Sequence, residues 1–193
     1  ASSCMSVSLD RIALVLNQES NIQDDANAVS KTDFTDSIEF RDVSFWYKPG
    51  KPVIHKLNLK IPKGKKIAFV GASGGGKTTV TNLINRLYDV KEGSILLDGI
   101  DVRQIKLDDL RNLFGVVTQD SVLFTKTVLE NIAYGSKKEL SAADIRSAAK
   151  IAHADEFIET FPDKYEQMLD IKGLNLSGGQ RQRLCIARAI VGN

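Results

Sequence analysis

"IAFVGASGGGKTTVTNLI", residues 67–84, joins an apolar run, Ile67–Val70, to a glycine-rich turn and then to a run of helix-forming residues. The spacing from Gly71 through Gly76, Lys77 and Thr78 matches the phosphate-binding pattern Gly-x-x-x-x-Gly-Lys-[Ser/Thr] in full. Each part has a physical reason. Gly71, Gly74, Gly75 and Gly76 let backbone amides curl around an anion, and the helix that follows adds positive potential at its start. Lys77 can reach terminal phosphates, and the Thr78 hydroxyl can ligate Mg²⁺. A glycine-rich turn with an ordinary surface lysine would share the composition; the strand before it and the helix after it favour the phosphate cradle. Ile67, Ala68, Phe69 and Val70 in succession predict a strand over Lys66–Val70 buried on both faces, as in a parallel sheet.

Outward from this loop, further short strands are predicted at "IEFRDVSFWY" (38–47), "LNLKI" (57–61), "SILLDG" (94–99) and "FGVVTQ" (114–119). Helical patterns follow Gly76, run from Ser141 to about Thr160, and follow Ser177. Ser141 with Asp144 reads as a capping box. Early strands before a helix-rich second half predict a parallel α/β core carrying a helical insertion. At the front, "MSVSLDRIALVLNQ" repeats Met5, Leu9, Ile12 and Leu16 at helical spacing, and residues 19–37 have the polar composition of a linker, with a domain boundary near Ser37.

Composition narrows the classes of function. The 193 residues hold 26 Lys and Arg against 24 Asp and Glu, a formal charge of +2, so neither nucleic acid nor an anionic membrane is expected as the main partner. No apolar run approaches the ~20 residues of a membrane span. Cys4 and Cys185 stand far apart and suggest neither a disulfide framework nor a metal cluster, which fits a reducing setting. His55 and His153 are isolated, without a Cys or carboxylate cluster around them, and read as surface or structural residues.

A second helix start lies in "LNLSGGQRQRLCIARAIVGN", residues 174–193. Ser177-Gly178-Gly179 alone would be an N-cap serine with a loose turn, but its small residues and free amides also make a candidate anion site. The whole string resembles the signature motif and helix of the ATP-binding cassette (ABC) ATPases. "VSFWYKPGKPVIHKLNLKIPKGKKIAFVGASGGGKTT", "LYDVKEGSILLDGIDV" and "VVTQDSVLFTKTVLENIAYG" are similar to the first strands and Walker A loop, the segment after the P-loop helix, and the Q-loop region of exporter-type cassettes. The likeness runs from Ile38 to Gly192.

The resemblance implies a fold class and a set of roles. The fold is α/β, a P-loop NTPase core of ABC type with a β-rich N-terminal subdomain and a helical subdomain over about 126–191. ATP and Mg²⁺ are the implied ligands. Tyr47 would stack on adenine, with Trp46 a rival because strand alternation places Phe45 and Tyr47 on one face and Trp46 on the other. Gly71, Ser73, Gly74, Gly75, Gly76, Lys77, Thr78 and Thr79 would bind nucleotide. Thr78 and Gln119 would hold Mg²⁺, and Lys77 and Gln119 would serve catalysis. Ser177, Gly178, Gly179 and Gln180 would complete the site of a second cassette, so that two cassettes sandwich two ATP molecules head to tail.

The implied whole is an exporter at the cytoplasmic face of a membrane, its transmembrane domain on the same chain. Residues 1–18 would follow the last membrane segment, 19–37 would link, and 38–193 would be the nucleotide-binding domain. A soluble ABC ATPase of DNA repair or translation, or a catalytically dead nucleotide-binding module, are the alternatives. Where exporters commonly carry Gly-Glu-Arg-Gly before the signature, this chain has Asp170-Ile171-Lys172-Gly173, which puts one contact to the membrane domain in doubt. The Walker B Asp, catalytic Glu and switch His of the family find no match up to Asn193. The cassette therefore reads as incomplete at its C-terminus, expected to bind ATP without hydrolysing it.

Overall fold

The computed structural model describes residue 13 and residues 21–192, which divide into two compact units on either side of Asp109 and Leu110. The helix expected near the N-terminus lies outside the described residues except for Ala13, which is helical and exposed.

The first unit is built on an antiparallel sheet of order β2-β1-β3-β4, with β1 Ser37–Phe45, β2 Ile54–Pro62, β3 Glu92–Leu97 and β4 Ile100–Asp101. Central β1 pairs on both sides: Ile38 lies opposite Ile61 and Leu97, and Phe40 opposite Leu59 and Ile95. Its apolar residues Phe40, Val43 and Phe45 are buried, whereas edge strand β2 alternates and exposes Lys56 and Lys60, a charged edge that discourages pairing with another chain. Helix α1, Lys77–Ile84, follows the glycine-rich loop as expected and buries Thr79, Val80 and Leu83.

The polar segment before β1 is docked on this unit. The Asp98 carboxylate accepts the backbone amides of Thr35, Asp36 and Ser37 at 2.8, 2.7 and 3.0 Å and the Lys31 ammonium at 2.9 Å. Upstream, Gln23 accepts from the Arg86 guanidinium, and the Asp24 side chain accepts the amide of Leu107, the first residue of α2 (Leu107–Asn112).

The second unit is helical: α3 Val128–Ala133, α4 Ala142–Ile151, α5 Asp155–Ile158 and α6 Gly178–Val191, gathered round a core that includes Leu123, Ile132, Ile145, Ile158 and Leu184. The Ser141–Asp144 capping box is present, with both reciprocal bonds made. The helix expected to reach about Thr160 stops at Ile151. His153 takes a left-handed φ of 53°, its amide donates to Lys150 and that of Ala154 to Ala149, a Schellman closure with histidine where glycine is usual. His153 is thus a helix-ending residue, its Nδ1 3.5 Å from a Glu156 carboxylate oxygen.

Two predicted strands are not formed. Lys66–Val70 and Phe114–Gln119 belong to no ladder, and Val70 is 90% and Ile67 47% exposed rather than buried. In a sheet, a strand's amides and carbonyls are satisfied by a neighbouring strand. Among the described residues none lies beside either segment, so the expected parallel core is not assembled and the ladder pairing is entirely antiparallel apart from the isolated bridge Val29–Ile105.

Candidate functional site

The glycine-rich loop meets its helix through backbone that only glycine adopts readily. Gly76 caps α1 at φ 80°, and a Cβ there would fall 2.9 Å from Cδ1 of Ile54 and 3.2 Å from the Val53 carbonyl oxygen. The turn is closed by the Gly75 amide donating to Ala72. Lys77 folds back along the loop, and its ammonium donates to the carbonyls of Gly71 at 2.9 Å and Ala72 at 2.7 Å. A movable cation and the first turn of α1 therefore sit at one loop of which Gly71, Ser73, Gly74 and Gly75 are exposed, a donor set suited to an anion of several charges.

The structure separates the two threonines that follow Lys77. Thr78 is exposed at the start of α1, free to offer its hydroxyl to a cation. Thr79 is buried, and its Oγ1 lies 3.2 Å from the Tyr47 hydroxyl. Tyr47 is half exposed. Its ring stands T-shaped to Phe45, centroids 4.9 Å apart, and to Tyr88 at 5.2 Å, which fixes its orientation while half of the residue stays exposed. Trp46 and Tyr47 both line a recess of about 410 Å³ with Leu87, Tyr88 and Lys91. Only Tyr47 of the pair is hydrogen-bonded to the loop's helix. Tyr88, which completes this aromatic group, was not singled out in the sequence, because a tyrosine ten residues beyond the loop carries no pattern of its own.

In the second unit, Ser177 is the N-cap of α6. Its Oγ accepts the Gln180 amide at 3.2 Å, and the Gln180 side chain accepts the Ser177 amide at 2.8 Å. This reciprocal pair leaves the serine hydroxyl proton available, and a Cβ on Gly179 would meet nothing within 4 Å, so the helix start stands open to an approaching group. Preceding it, Gly173 has φ 64°, and a Cβ there would lie 2.8 Å from Cδ1 of Leu123. Arg181 then reaches back to the carbonyl oxygens of Leu176 at 2.6 Å and Gly173 at 3.4 Å, clasping the turn. Ile171 is exposed in this turn. Gln119 is exposed in the non-helical segment before Leu123.

Nucleotide and metal fit these residues unequally. The loop, Lys77 and Tyr47 suit a nucleoside polyphosphate. For Mg²⁺ the first unit offers the Thr78 hydroxyl, but no cluster of His, Cys, Asp and Glu able to hold a metal occurs among the described residues, and α1 has no acidic residue in its first turn.

These features define the class first: a P-loop nucleotide-binding domain with a separate, serine-capped signature helix. The family model described as "ABC transporter" matches residues 54–193, and the chain belongs to that family. It is 48% identical over 184 residues to the ATP-dependent lipid A-core flippase of Desulfotalea psychrophila, covering 95% of this chain and 32% of the flippase. It is 44% identical over 155 residues to a multidrug efflux ATP-binding/permease protein of Mycobacterium tuberculosis, covering 80% of this chain and 13% of that protein. A solved bacterial Atm1-family ABC exporter with ATP bound superposes with a TM-score of 0.89 at 37% identity, covering 97% of this chain and 32% of the exporter. The chain thus spans a third or less of the relatives' length, and the part shared with them is of ATP-binding type. No helix among the described residues is long and apolar enough to cross a membrane.

Proposed function

We propose that residues 38–193 form the nucleotide-binding domain that powers an ABC exporter, binding Mg-ATP between its P-loop and the signature of a second cassette. The single observation that carries this reading is the P-loop geometry. Gly76 holds a left-handed φ where Ile54 and Val53 leave no room for a Cβ, and Lys77 is poised on the loop's own carbonyls.

When ATP binds, Lys77 exchanges the Gly71 and Ala72 carbonyls for the terminal phosphates, while the loop amides from Gly71 to Gly76 and those of Thr78 and Thr79 surround the phosphate chain. Tyr47 stacks on the base, which gives affinity with little base selectivity. Thr78 and Gln119 are the residues that would hold Mg²⁺, which would offset phosphate charge, and Gln119 would orient the attacking water. Ser177 and Gly179 donate to the terminal phosphate of the partner cassette's nucleotide, with Gly178 and Gln180 shaping the helix start. The cassette lies at the cytoplasmic face of a membrane, with the transmembrane domain on the same protein, residues 1–18 following its last span and 19–37 linking. The exporter names of the relatives support this over a soluble ATPase. Those names differ in cargo, lipid A-core in one and drugs in another, so no cargo is assigned.

A polypeptide of residues 1–193 alone is proposed to bind ATP without turning it over, since the metal carboxylate and water-positioning glutamate of the family have no match within it. The intact transporter reconstituted in lipid decides the function. Mg-dependent phosphate release that Lys77→Ala abolishes supports it, and unchanged release in that variant contradicts it.

A further inference from the structure

The polar segment before β1 has the composition of a linker, yet from Gln23 onward it is bonded to the first unit along most of its length. Arg86 begins the attachment. It follows the end of α1 at a left-handed φ of 49° and is 3% exposed. Its guanidinium donates to the Gln23 carbonyl at 2.9 Å, the Asp89 carboxylate at 3.0 Å and the Ile105 carbonyl at 3.4 Å. Downstream, Asp24 accepts the Leu107 amide at 2.7 Å, and the Val29 amide donates to Gln104 at 2.7 Å while its carbonyl accepts from Lys106 at 2.9 Å. The Ser30 hydroxyl donates to Asp109 at 2.6 Å, and the segment ends in the Asp98 clasp. Ordering a linker costs conformational entropy at every residue, and these bonds, several of them to charged groups, offset it.

The attachment at Arg86 places the stretch just upstream of Gln23. Asn21 and Ile22 line the same recess of about 410 Å³ as Tyr47 and Tyr88, with Asp89 also in its wall. One buried guanidinium therefore fixes two parts of that recess, the backbone next to Ile22 and the turn next to Tyr88. Tyrosine rings, an apolar side chain and an amide suit a flat, neutral ring system with polar edges, a nucleobase rather than a phosphate. The phosphate loop and the recess also share one element, since α1 starts at Gly76, meets Tyr47 through Thr79 and ends just before Arg86.

We propose that residues 21–23 are a wall of the base subsite, with Ile22 packing against the nucleobase and Arg86 as the positioning residue that holds the wall in place. This rests on the reading of Tyr47 as the ring that stacks on the base. The segment upstream of β1 is then part of the nucleotide site, and releasing it from Arg86 loosens the base while leaving the phosphates held. A guanidinium suits the task because its several donors reach two backbone carbonyls and a carboxylate at once, whereas a lysine offers a single point of attachment.

Calorimetry on the intact transporter, with chelator present so that Mg-dependent turnover is absent, compares ATP with inorganic tripolyphosphate, which carries the phosphates without a base. Ile22→Ala trims the wall at a half-buried position, and Arg86→Lys keeps the charge but loses the fork. Each should weaken ATP binding roughly 4- to 15-fold, the worth of one or two buried methylenes, and leave tripolyphosphate binding unchanged. A merely structural role would weaken both ligands in proportion, and that outcome overturns the proposal. Native ATP affinity in Ile22→Ala overturns it as well, and this variant decides alone if Arg86→Lys does not fold. Tyr47→Ala run in parallel separates the two levels. A loss confined to ATP there, beside native binding in Ile22→Ala, refutes the wall alone; no selective loss of ATP in Tyr47→Ala refutes the base reading on which the wall rests.

Discussion

The hydroxyl of Tyr47 lies 3.2 Å from Oγ1 of Thr79, so the ring proposed to take the base is tied directly to the helix that follows the phosphate loop. Base and phosphate recognition share one rigid piece of structure. Tyr47→Phe removes only this bond and should weaken ATP binding by at most the ~0.5–1.5 kcal/mol of an ordinary hydrogen bond. Tyr47→Ala also removes the stacking face and should cost about 1–3 kcal/mol more. Calorimetry with ATP and GTP checks both, and the loss should be similar for the two bases.

Lys77 is the cation placed on the loop. Losing its charge-assisted bonds to phosphate should cost ~1.5–3 kcal/mol, a weakening of roughly 10- to 100-fold in Lys77→Ala. Equal affinity in wild type and variant would remove the basis of the phosphate site.

Asp98 gives the fold a pH dependence with a defined sign. Its side chain is only 7% exposed, and although burial opposes its charge, the Lys31 ammonium and the amides of Thr35, Asp36 and Ser37 outweigh that and hold its carboxyl well below the usual range. A carboxylate whose folded pKa is depressed stabilises the protein above its unfolded value, about 3.9. That contribution is lost as pH falls below ~4 toward the folded pKa. Asp98→Ala should destabilise by about 2–3 kcal/mol at neutral pH, with the difference from wild type shrinking in acid. Denaturant titrations at neutral and acid pH measure it.

Much of the site was legible because its chemistry is local. The turn from Gly71 to Thr78 and the Ser177–Gln180 cap are each set within four to eight consecutive residues, and the helices after Gly76 and Ser177 begin where the sequence placed them. The strands at 38–47, 57–61 and 94–99 were found as short apolar runs, though their antiparallel pairing was not. What local pattern could not supply was partnership. Ile67–Val70 has the composition of a buried strand, yet burial belongs to the sheet and not to the strand, and no neighbour stands beside it among the described residues. The helix end at Ile151 was hidden for a related reason, since histidine rather than glycine takes the left-handed position. Tyr88 acts through Phe45 and Tyr47, partners distant in sequence that no spacing rule reveals.

A polypeptide of residues 1–193 is expected to release phosphate from ATP no faster than background, with or without Mg²⁺. Mg-dependent turnover that vanishes in Lys77→Ala would show that a carboxylate within these residues supplies the metal and water contacts.

The most direct test of the account is complementation between two inactive variants of the intact transporter. Lys77→Ala breaks the P-loop and Ser177→Arg breaks the signature, so each homodimer should be without turnover. If each site is built from one subunit's P-loop and the other's signature, the mixed dimer gathers both lesions in one site and leaves its second site native. Steady-state phosphate release from affinity-purified mixed dimers should then recover a substantial fraction of wild-type turnover. Mixed dimers as inactive as either parent would contradict a signature that acts across the interface.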